Sequence, residues 1–280
     1  MPSDVRDLLA VQPGHRVKLS DHPADATPGF DGKKRQAVQE VADIGRELAD
    51  LQERLYAAAS EGDRRRVVLV LQGMDTSGKG GTVKHVISHF NPAGCRIRAF
   101  KAPTDEEKRQ HFLWRVDRAL PQSGEIGIFD RSHYEDVLVV RVHDLVPEAV
   151  WSRRYEQINA WERILAEDGV TWVKVFLHIS RDEQRERLLA RLDRPDKHWK
   201  FSPNDVRERE LWPDYRKAYT AVLERCSTEA APWYLVPADR KWYRNWAVSQ
   251  LLLAHLRDLD PRYPPGAYDP AEARAALLRA

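Results

Sequence analysis

The sequence predicts an α/β fold in which a parallel sheet is covered by helices on both faces. Three observations carry the prediction. Strand-like and helix-like segments alternate along 280 residues without an internal repeat. Residues 67–71, VVLVL, are apolar and uncharged, as a strand buried on both faces of a parallel sheet reads. Directly after it, Gly73-Met-Asp-Thr-Ser-Gly78-Lys79 fits the G-x-x-x-x-G-K core of a phosphate-binding loop.

The elements follow in order. Residues 1–32 are rich in Pro, Gly and Asp and read as an extended arm; residues 33–280 read as a single domain. Residues 33–60 form a helix whose apolar seam (Ala37, Val41, Ile44, Leu48, Leu51, Leu55) alternates steps of four and three. That seam packs on its own domain or on a partner chain. After the loop comes a helix over 80–90, broken by Asn91-Pro92, then a strand over 95–100 and a helix over 105–120. A short strand over 126–129 delivers Asp130, and a helix runs from Pro147 to about Asp168. A strong strand spans 171–179, and Ser180 with Glu183 reads as a capping box. Ser202-Pro203 opens another helix, with proline at its first position. The last strand covers 233–236 and the last long helix 241–259.

Composition narrows the function classes. Formal net charge is +2 although 31% of residues are charged, so no broad electrostatic footprint for nucleic acid is present. No apolar run approaches membrane-spanning length, and the start of the chain lacks a signal-peptide apolar region. The two cysteines, Cys95 and Cys226, suggest no disulfide framework. A cytoplasmic protein with no nucleic-acid or membrane partner is expected.

The loop carries the chemistry. Its glycines let successive N–H groups face one anion, and the helix after it adds the positive end of its dipole. Gly73, Thr76, Ser77, Gly78, Gly80, Gly81 and Thr82 are the expected phosphate cradle, with Lys79 reaching the outer phosphates and Lys84 beyond. One position departs from the pattern: Gly80 stands where Ser or Thr would hold Mg²⁺. Asp75 lies inside the loop instead. A carboxylate beside phosphates is tolerable when both share a divalent cation, so Asp75 is read as a replacement metal ligand. The plainer reading makes it a turn residue or helix cap. Residues 127–130, GIFD, have the form of a Walker B strand, with Asp130 as second metal ligand or orienter of metal-bound water. Arg131 beside it suits a forked contact to phosphate oxygens.

A third cluster contains Arg185, Arg187, Arg191, Arg194, Lys197, His198 and Lys200. It is expected to form a lid over about 185–201 whose arginines stabilise charge on a transferring phosphoryl group. The plainer reading is a solvated helical face. Lys84, Lys101, Lys108, Arg109 and Arg115 are candidates for a positive track along a polyanion. Trp199, Trp212, Tyr215 and Tyr219 are expected to be mostly core.

These residues also carry a resemblance. Residues 73–81 (GMDTSGKGG), 129–136 (FDRSHYED), 196–203 (DKHWKFSP) and 239–245 (DRKWYRN) resemble the second polyphosphate kinase family, over about residues 33–265. The resemblance implies a P-loop kinase of thymidylate-kinase-like build: three α/β/α layers, a parallel sheet and a helical lid. It implies phosphoryl exchange between inorganic polyphosphate and adenine nucleotides, with guanine as a further option. The cofactor would be Mg²⁺ or Mn²⁺, and the assembly a homo-oligomer, either dimer or tetramer. The family's loop aspartate falls on Asp75, its Walker lysine on Lys79, and its Walker B pair on Asp130 and Arg131. Arg191 is the first choice for the catalytic lid arginine and Arg187 the second. Residues 135–141, EDVLVVR, are similar to the branch that phosphorylates both AMP and ADP.

Polyphosphate is expected in the loop. The nucleotide is expected opposite, near Phe100, Lys101, Pro103 and Thr104 and the helix after Asp130, where Tyr134 lies. Two other readings compete: an ATP-dependent nucleoside monophosphate kinase of thymidylate-kinase type, and a non-catalytic P-loop module that senses nucleotide or polyphosphate.

Overall fold

The computed structural model describes residues 4–280. In chain order its elements are α1 (Val5–Leu9), α2 (Lys34–Ala58), β1 (Arg66–Gln72), α3 (Lys79–Ile87), β2 (Cys95–Ala99), α4 (Asp105–Lys108), α5 (Trp114–Asp117) and β3 (Ile126–Asp130). Then follow α6 (Val139–Val142), α7 (Glu148–Glu167), β4 (Val170–His178), α8 (Arg181–Leu192), α9 (Pro203–Glu210), α10 (Trp212–Cys226), β5 (Trp233–Pro237), α11 (Lys241–Leu259) and α12 (Pro270–Arg279). The five strands form one sheet in the order β2-β3-β1-β4-β5, and every pairing is parallel. The chain leaves β1 toward β2 and leaves β3 toward β4. A crevice therefore opens at the carboxyl ends of β1 and β3, where open α/β sheets bind ligands.

The apolar run of β1 resolves into two cores. Val68 and Val70 join Phe129, Trp172, Phe176 and Trp233 against α7 and α10. Val67, Leu69 and Leu71 join Leu48, Leu51, Leu55 and Leu251 against α2, α3 and α11. This is the period-two alternation of a strand with both faces covered. The seam of α2 packs on α11 within the same chain, buried at Ala37, Leu48, Leu51 and Leu55.

Residues before α2 strap the free edge of β5, the liability of any open sheet. Ala10 forms an antiparallel bridge with Tyr234, and Val11 N–H donates to the Trp233 carbonyl at 2.8 Å. Farther along, Phe30 packs on Trp246 with ring centroids 5.0 Å apart.

Two local expectations need correction. The helix expected over 105–120 is two short ones, α4 and α5. Residues 105–110, DEEKRQ, have no apolar side chain to dock, so the turn is held by the capping box of Thr104 with Glu107 and by ion pairs, not by core packing. At Ser180 the capping box is half-formed: its hydroxyl accepts Glu183 N–H at 3.1 Å, but its own N–H goes to Asp239. Glu183 is thereby free to bind Arg187 at 2.8 Å. The C-terminal helix α12, unforeseen, buries no side chain.

A charged network lies inside the first core. Lys174 on β4 and Glu162 on α7 are fully buried and 2.6 Å apart. Lys174 also donates to Tyr134 Oη at 2.8 Å and to the Cys226 carbonyl at 2.7 Å. Glu162 accepts from Tyr134 Oη at 2.8 Å and lies 3.0 Å from His133 Nε2. Losing one partner leaves a bare charge in the core, so Lys174→Ala is expected to cost about 3–5 kcal/mol in urea unfolding, while Lys174→Met with Glu162→Leu is expected to cost less, because no bare charge remains and only Tyr134, His133 and the Cys226 carbonyl lose partners. Equal losses for the single and double variants would contradict the network.

Candidate active site

The loop between β1 and α3 is shaped from behind. The Asp75 carbonyl accepts Gln184 Nε2–H at 3.1 Å. Nη1 of Arg187 donates to the carbonyls of Thr76 at 2.9 Å and Ser77 at 3.1 Å, and Nη1 of Arg244 lies 3.4 Å from the same Ser77 carbonyl. A trans peptide points its C=O and N–H in opposite directions. Holding these carbonyls against α8 and α11 therefore turns the N–H groups of Thr76 and Gly78 to the open side. Thr82 N–H closes the first helical bond to Gly78, leaving those of Lys79, Gly80 and Gly81 for an anion. The hydroxyls of Thr76 and Ser77 are buried without a partner among the described residues, as fits a cradle for phosphate oxygens.

Glycine is required twice. At Gly73, with φ +154°, a Cβ would lie 2.7 Å from both the Leu177 carbonyl and Ser77 Oγ. At Gly78, with φ +109°, it would lie 1.7 Å from Arg244 Nη1. Gly80 is different, because the space beside it is open.

Charged groups gather at the loop mouth. Lys79 Nζ donates to the Gly73 carbonyl at 2.8 Å. Burial, and then Arg131, push its ammonium below the ordinary lysine range, while Asp75, Asp130 and Glu135 pull the other way. Arg131 takes φ +63°, strained for a side-chain-bearing residue, with its N–H held by the Leu71 carbonyl at 3.0 Å. Its Nη2 lies 3.1 Å from Asp75 Oδ1 and its Nη1 3.6 Å from Glu135 Oε2. Burial pushes the Glu135 carboxyl up, against the pull of Arg131 and Lys79. Sequence reasoning passed over Glu135; its spacing of four from Arg131 was the available signal.

A cavity of about 300 Å³ opens beside this cluster, lined by Asp75, Arg131, Glu135, His143, Asn204 and Tyr215 among others. No group of three or more His, Cys, Asp or Glu suited to a metal ion exists among the described residues. Asp75 and Asp130 still fit Mg²⁺, which takes one or two carboxylates and completes its shell with water and substrate phosphates.

Several expected contacts lie elsewhere. Tyr134 is fully buried on Glu162 and Lys174 and is out of reach of a nucleotide. Phe100 is buried against Phe129, with Arg115 over its ring. Thr104 spends its hydroxyl capping α4, while Lys101 and Pro103 are exposed nearby. Thr82 is buried and donates its hydroxyl to the Gly78 carbonyl, so it is not part of the cradle. Lys84 is exposed on α3. Arg187 is a buried brace of the loop, also bonded to the carbonyls of Ala238 and Asp239, and offers no free phosphate contact. Arg115 is buried between Glu107 and Asp136 and lines no open track.

The segment after α8, expected to be a lid, folds on itself over Pro195–Lys200. There Arg191 donates to the Lys200 carbonyl at 2.9 Å, while Arg194 and Lys197 both pair with Asp196. Of the four aromatics, Trp212 and Tyr219 are buried in the core and line the cavity together with Tyr215, and Trp199 is 78% exposed.

Comparison with known proteins places this geometry. The profile of Polyphosphate kinase 2 (PPK2) matches residues 31–264. The AMP/ADP-polyphosphate phosphotransferase of Meiothermus ruber is 49% identical over 91% of this chain and 94% of its own length. The ADP-polyphosphate phosphotransferase of Rhodopseudomonas palustris is 42% identical over 91% of this chain and 90% of its own. The crystal structure of Polyphosphate Kinase 2 from Arthrobacter aurescens TC1 superposes with a TM-score of 0.96 at 46% identity, covering 100% of this chain and 98% of that one. With its parallel sheet, its braced loop and its Asp-Arg strand end, the chain belongs to the polyphosphate kinase 2 family.

Proposed function

We propose that the protein transfers the terminal phosphoryl group of inorganic polyphosphate to AMP and ADP, with polyphosphate held in the loop and Mg²⁺ as cofactor. One observation carries the placement. The loop offers N–H groups and Lys79 to an anion, while the 300 Å³ cavity meets the loop at Asp75 and Arg131 and offers the nucleoside polar and aromatic walls. Lys101, Pro103 and Thr104, after β2, do not line this cavity, so the nucleotide is placed against Glu135, His143, Asn204 and Tyr215 instead. An ATP-dependent monophosphate kinase is not favoured, since the closely matching relatives carry polyphosphate names.

In the transfer, the P–O bond between the terminal and penultimate phosphates breaks. A new bond forms to a phosphate oxygen of the nucleotide, and the chain shortens by one unit. The attacking oxygen is already ionised near neutral pH, so no general base is required. Lys79 and Arg131 flank the path and neutralise charge on the equatorial oxygens. Asp75 and Asp130 would hold Mg²⁺, which when bound screens the two phosphate chains from each other. Arg191 and its neighbours supply further cations if the lid closes. The reaction is reversible and the setting cytoplasmic; the chain works as a homo-oligomer, and no described helix is long and apolar enough to cross a membrane.

The direct test is incubation of AMP or ADP with polyphosphate and Mg²⁺, without ATP, following ATP by chromatography. Lys79→Ala is expected to lower kcat by about 10²–10³-fold in a folded protein. Near-normal turnover there removes the loop from the mechanism. Asp75→Asn and Asp130→Asn are each expected to raise the Mg²⁺ concentration needed for half-maximal rate. A wild-type titration for Asp75→Asn makes that residue a turn former only.

The depressed Lys79 gives a pH signature. Its charged form is the active one and is lost as pH rises. The alkaline limb of kcat/KM for polyphosphate, which reports the free enzyme, is therefore expected below the ordinary lysine value of about 10.4. In kcat the limb moves to higher pH, because bound polyanion favours the ammonium. Coincident limbs in both parameters would contradict this.

A further inference from the structure

Arg244 takes no part in the transfer, yet its surroundings are poor ones for a structural arginine. It lies on the first turn of α11 and is 3% exposed. Its Nε and Nη2 both donate to Asn245 Oδ1, at 3.2 and 2.8 Å. No carboxylate pairs with it among the described residues. The Ser77 carbonyl it approaches at 3.4 Å already accepts from a second guanidinium, Arg187, at 3.1 Å. The start of a helix is also the wrong end for cations. Here Arg240 holds the N-cap position without a side-chain capping bond, Lys241 and Arg244 follow in the first turn, and no acid stands among the three. Burial, and then Arg187, push the Arg244 guanidinium down to about 10. A buried charge without a counter-ion is costly and persists when something else requires it.

The requirement is visible in the loop. A Cβ at Gly78 would meet Arg244 Nη1 at 1.7 Å, and one at Gly81 would approach Nη2 at 3.1 Å. The guanidinium thus lies directly behind the junction of loop and α3. Arg187 has its own partner in Glu183, at 2.8 Å; Arg244 has only neutral acceptors. Its charge is free to be felt through the thin backbone of two glycines, on the face where an anion binds.

We propose that Arg244 is a positioning residue for polyphosphate: it helps hold the Ser77 carbonyl away from the cradle and leaves an unbalanced positive charge behind the loop that bound polyphosphate neutralises. The proposal rests on the reading that polyphosphate occupies the loop. It differs from a packing role in the sign of its effects. A packing arginine lowers stability when removed. An arginine that is strained until the polyanion arrives lowers donor binding when removed and leaves the ligand-free fold as stable as before, or more so.

The experiment compares wild type, Arg244→Met, Arg244→Lys and Lys79→Ala by calorimetric titration with tripolyphosphate and Mg²⁺, by thermal unfolding without ligand, and by AMP kinetics. Arg244→Met is expected to weaken tripolyphosphate binding by about tenfold or more, the scale of one lost charge-assisted interaction. Its Tm stays at or above wild type, and KM for AMP stays within about twofold. Arg244→Lys restores part of the binding because it keeps the charge without the fork. Unchanged tripolyphosphate binding in Arg244→Met overturns the proposal. So does a fall in Tm together with weakened binding of both substrates. If Lys79→Ala also binds tripolyphosphate like wild type, the loop placement itself fails and the role of Arg244 falls with it. If Lys79→Ala weakens binding and Arg244→Met does not, only the role of Arg244 is lost.

Discussion

The shape of the binding loop depends on three backbone carbonyls being held from behind. Those of Asp75, Thr76 and Ser77 are taken by Gln184, Arg187 and Arg244 from two helices, α8 and α11. A phosphate-binding loop of this kind works only if its N–H groups all face one side before the anion arrives. Left to itself, a glycine-rich turn samples many orientations, and ordering it on binding would weaken affinity. Here the ordering is done by the fold. The parallel sheet sets β4 beside β1 and β5 beside β4, so the helices that leave β4 and β5 start next to the loop that leaves β1.

The second half of the site is fixed by a different device. The turn after β3 carries Asp130, Arg131 and Glu135, and Arg131 holds a strained backbone conformation. Behind that turn, Ser132 accepts Gln72 Nε2–H at 3.1 Å, and His133 and Tyr134 are locked to Glu162 and Lys174. Buried ion pairs of this sort seldom add net stability, but they resist rearrangement because every partner is needed. The turn therefore keeps Arg131 aimed across the crevice at Asp75. The loop after β1 and the turn after β3 are positioned by separate networks, one rooted in α8 and α11 and the other in α7 and β4.

How much of this was legible follows from what kind of signal each part leaves. The strands and long helices appear as periodicity, and the loop and Asp130-Arg131 appear as local motifs, so these were readable residue by residue. Roles set by long-range contacts were not. Arg187 looks like any lid arginine until α8 is seen lying against the loop. Tyr134 looks like a surface aromatic beside the motif, but Glu162 draws it inward from 28 positions away. Thr82 and Phe100 failed for the same reason: which face of an element is buried depends on its neighbours. Arg244 stood in a quoted motif, yet nothing local marks an arginine whose partners are Asn245 next door and a carbonyl 167 positions earlier. Gly80 is instructive in the opposite sense. The sequence marks it as a missing hydroxyl, and the structure shows open space beside it, so sterics do not forbid a side chain there.

In the proposed arrangement a preformed loop takes the inorganic chain and the neighbouring cavity takes the nucleotide. A crystal structure of the protein with tripolyphosphate, AMP and Mg²⁺ tests it most directly. Phosphate oxygens of tripolyphosphate are expected within hydrogen-bonding distance of the N–H groups of Thr76, Gly78 and Lys79, with the carbonyls of Thr76 and Ser77 still held by Arg187. AMP should lie in the cavity beside Glu135 and Tyr215. AMP phosphate seated in the loop, with tripolyphosphate elsewhere, would contradict it.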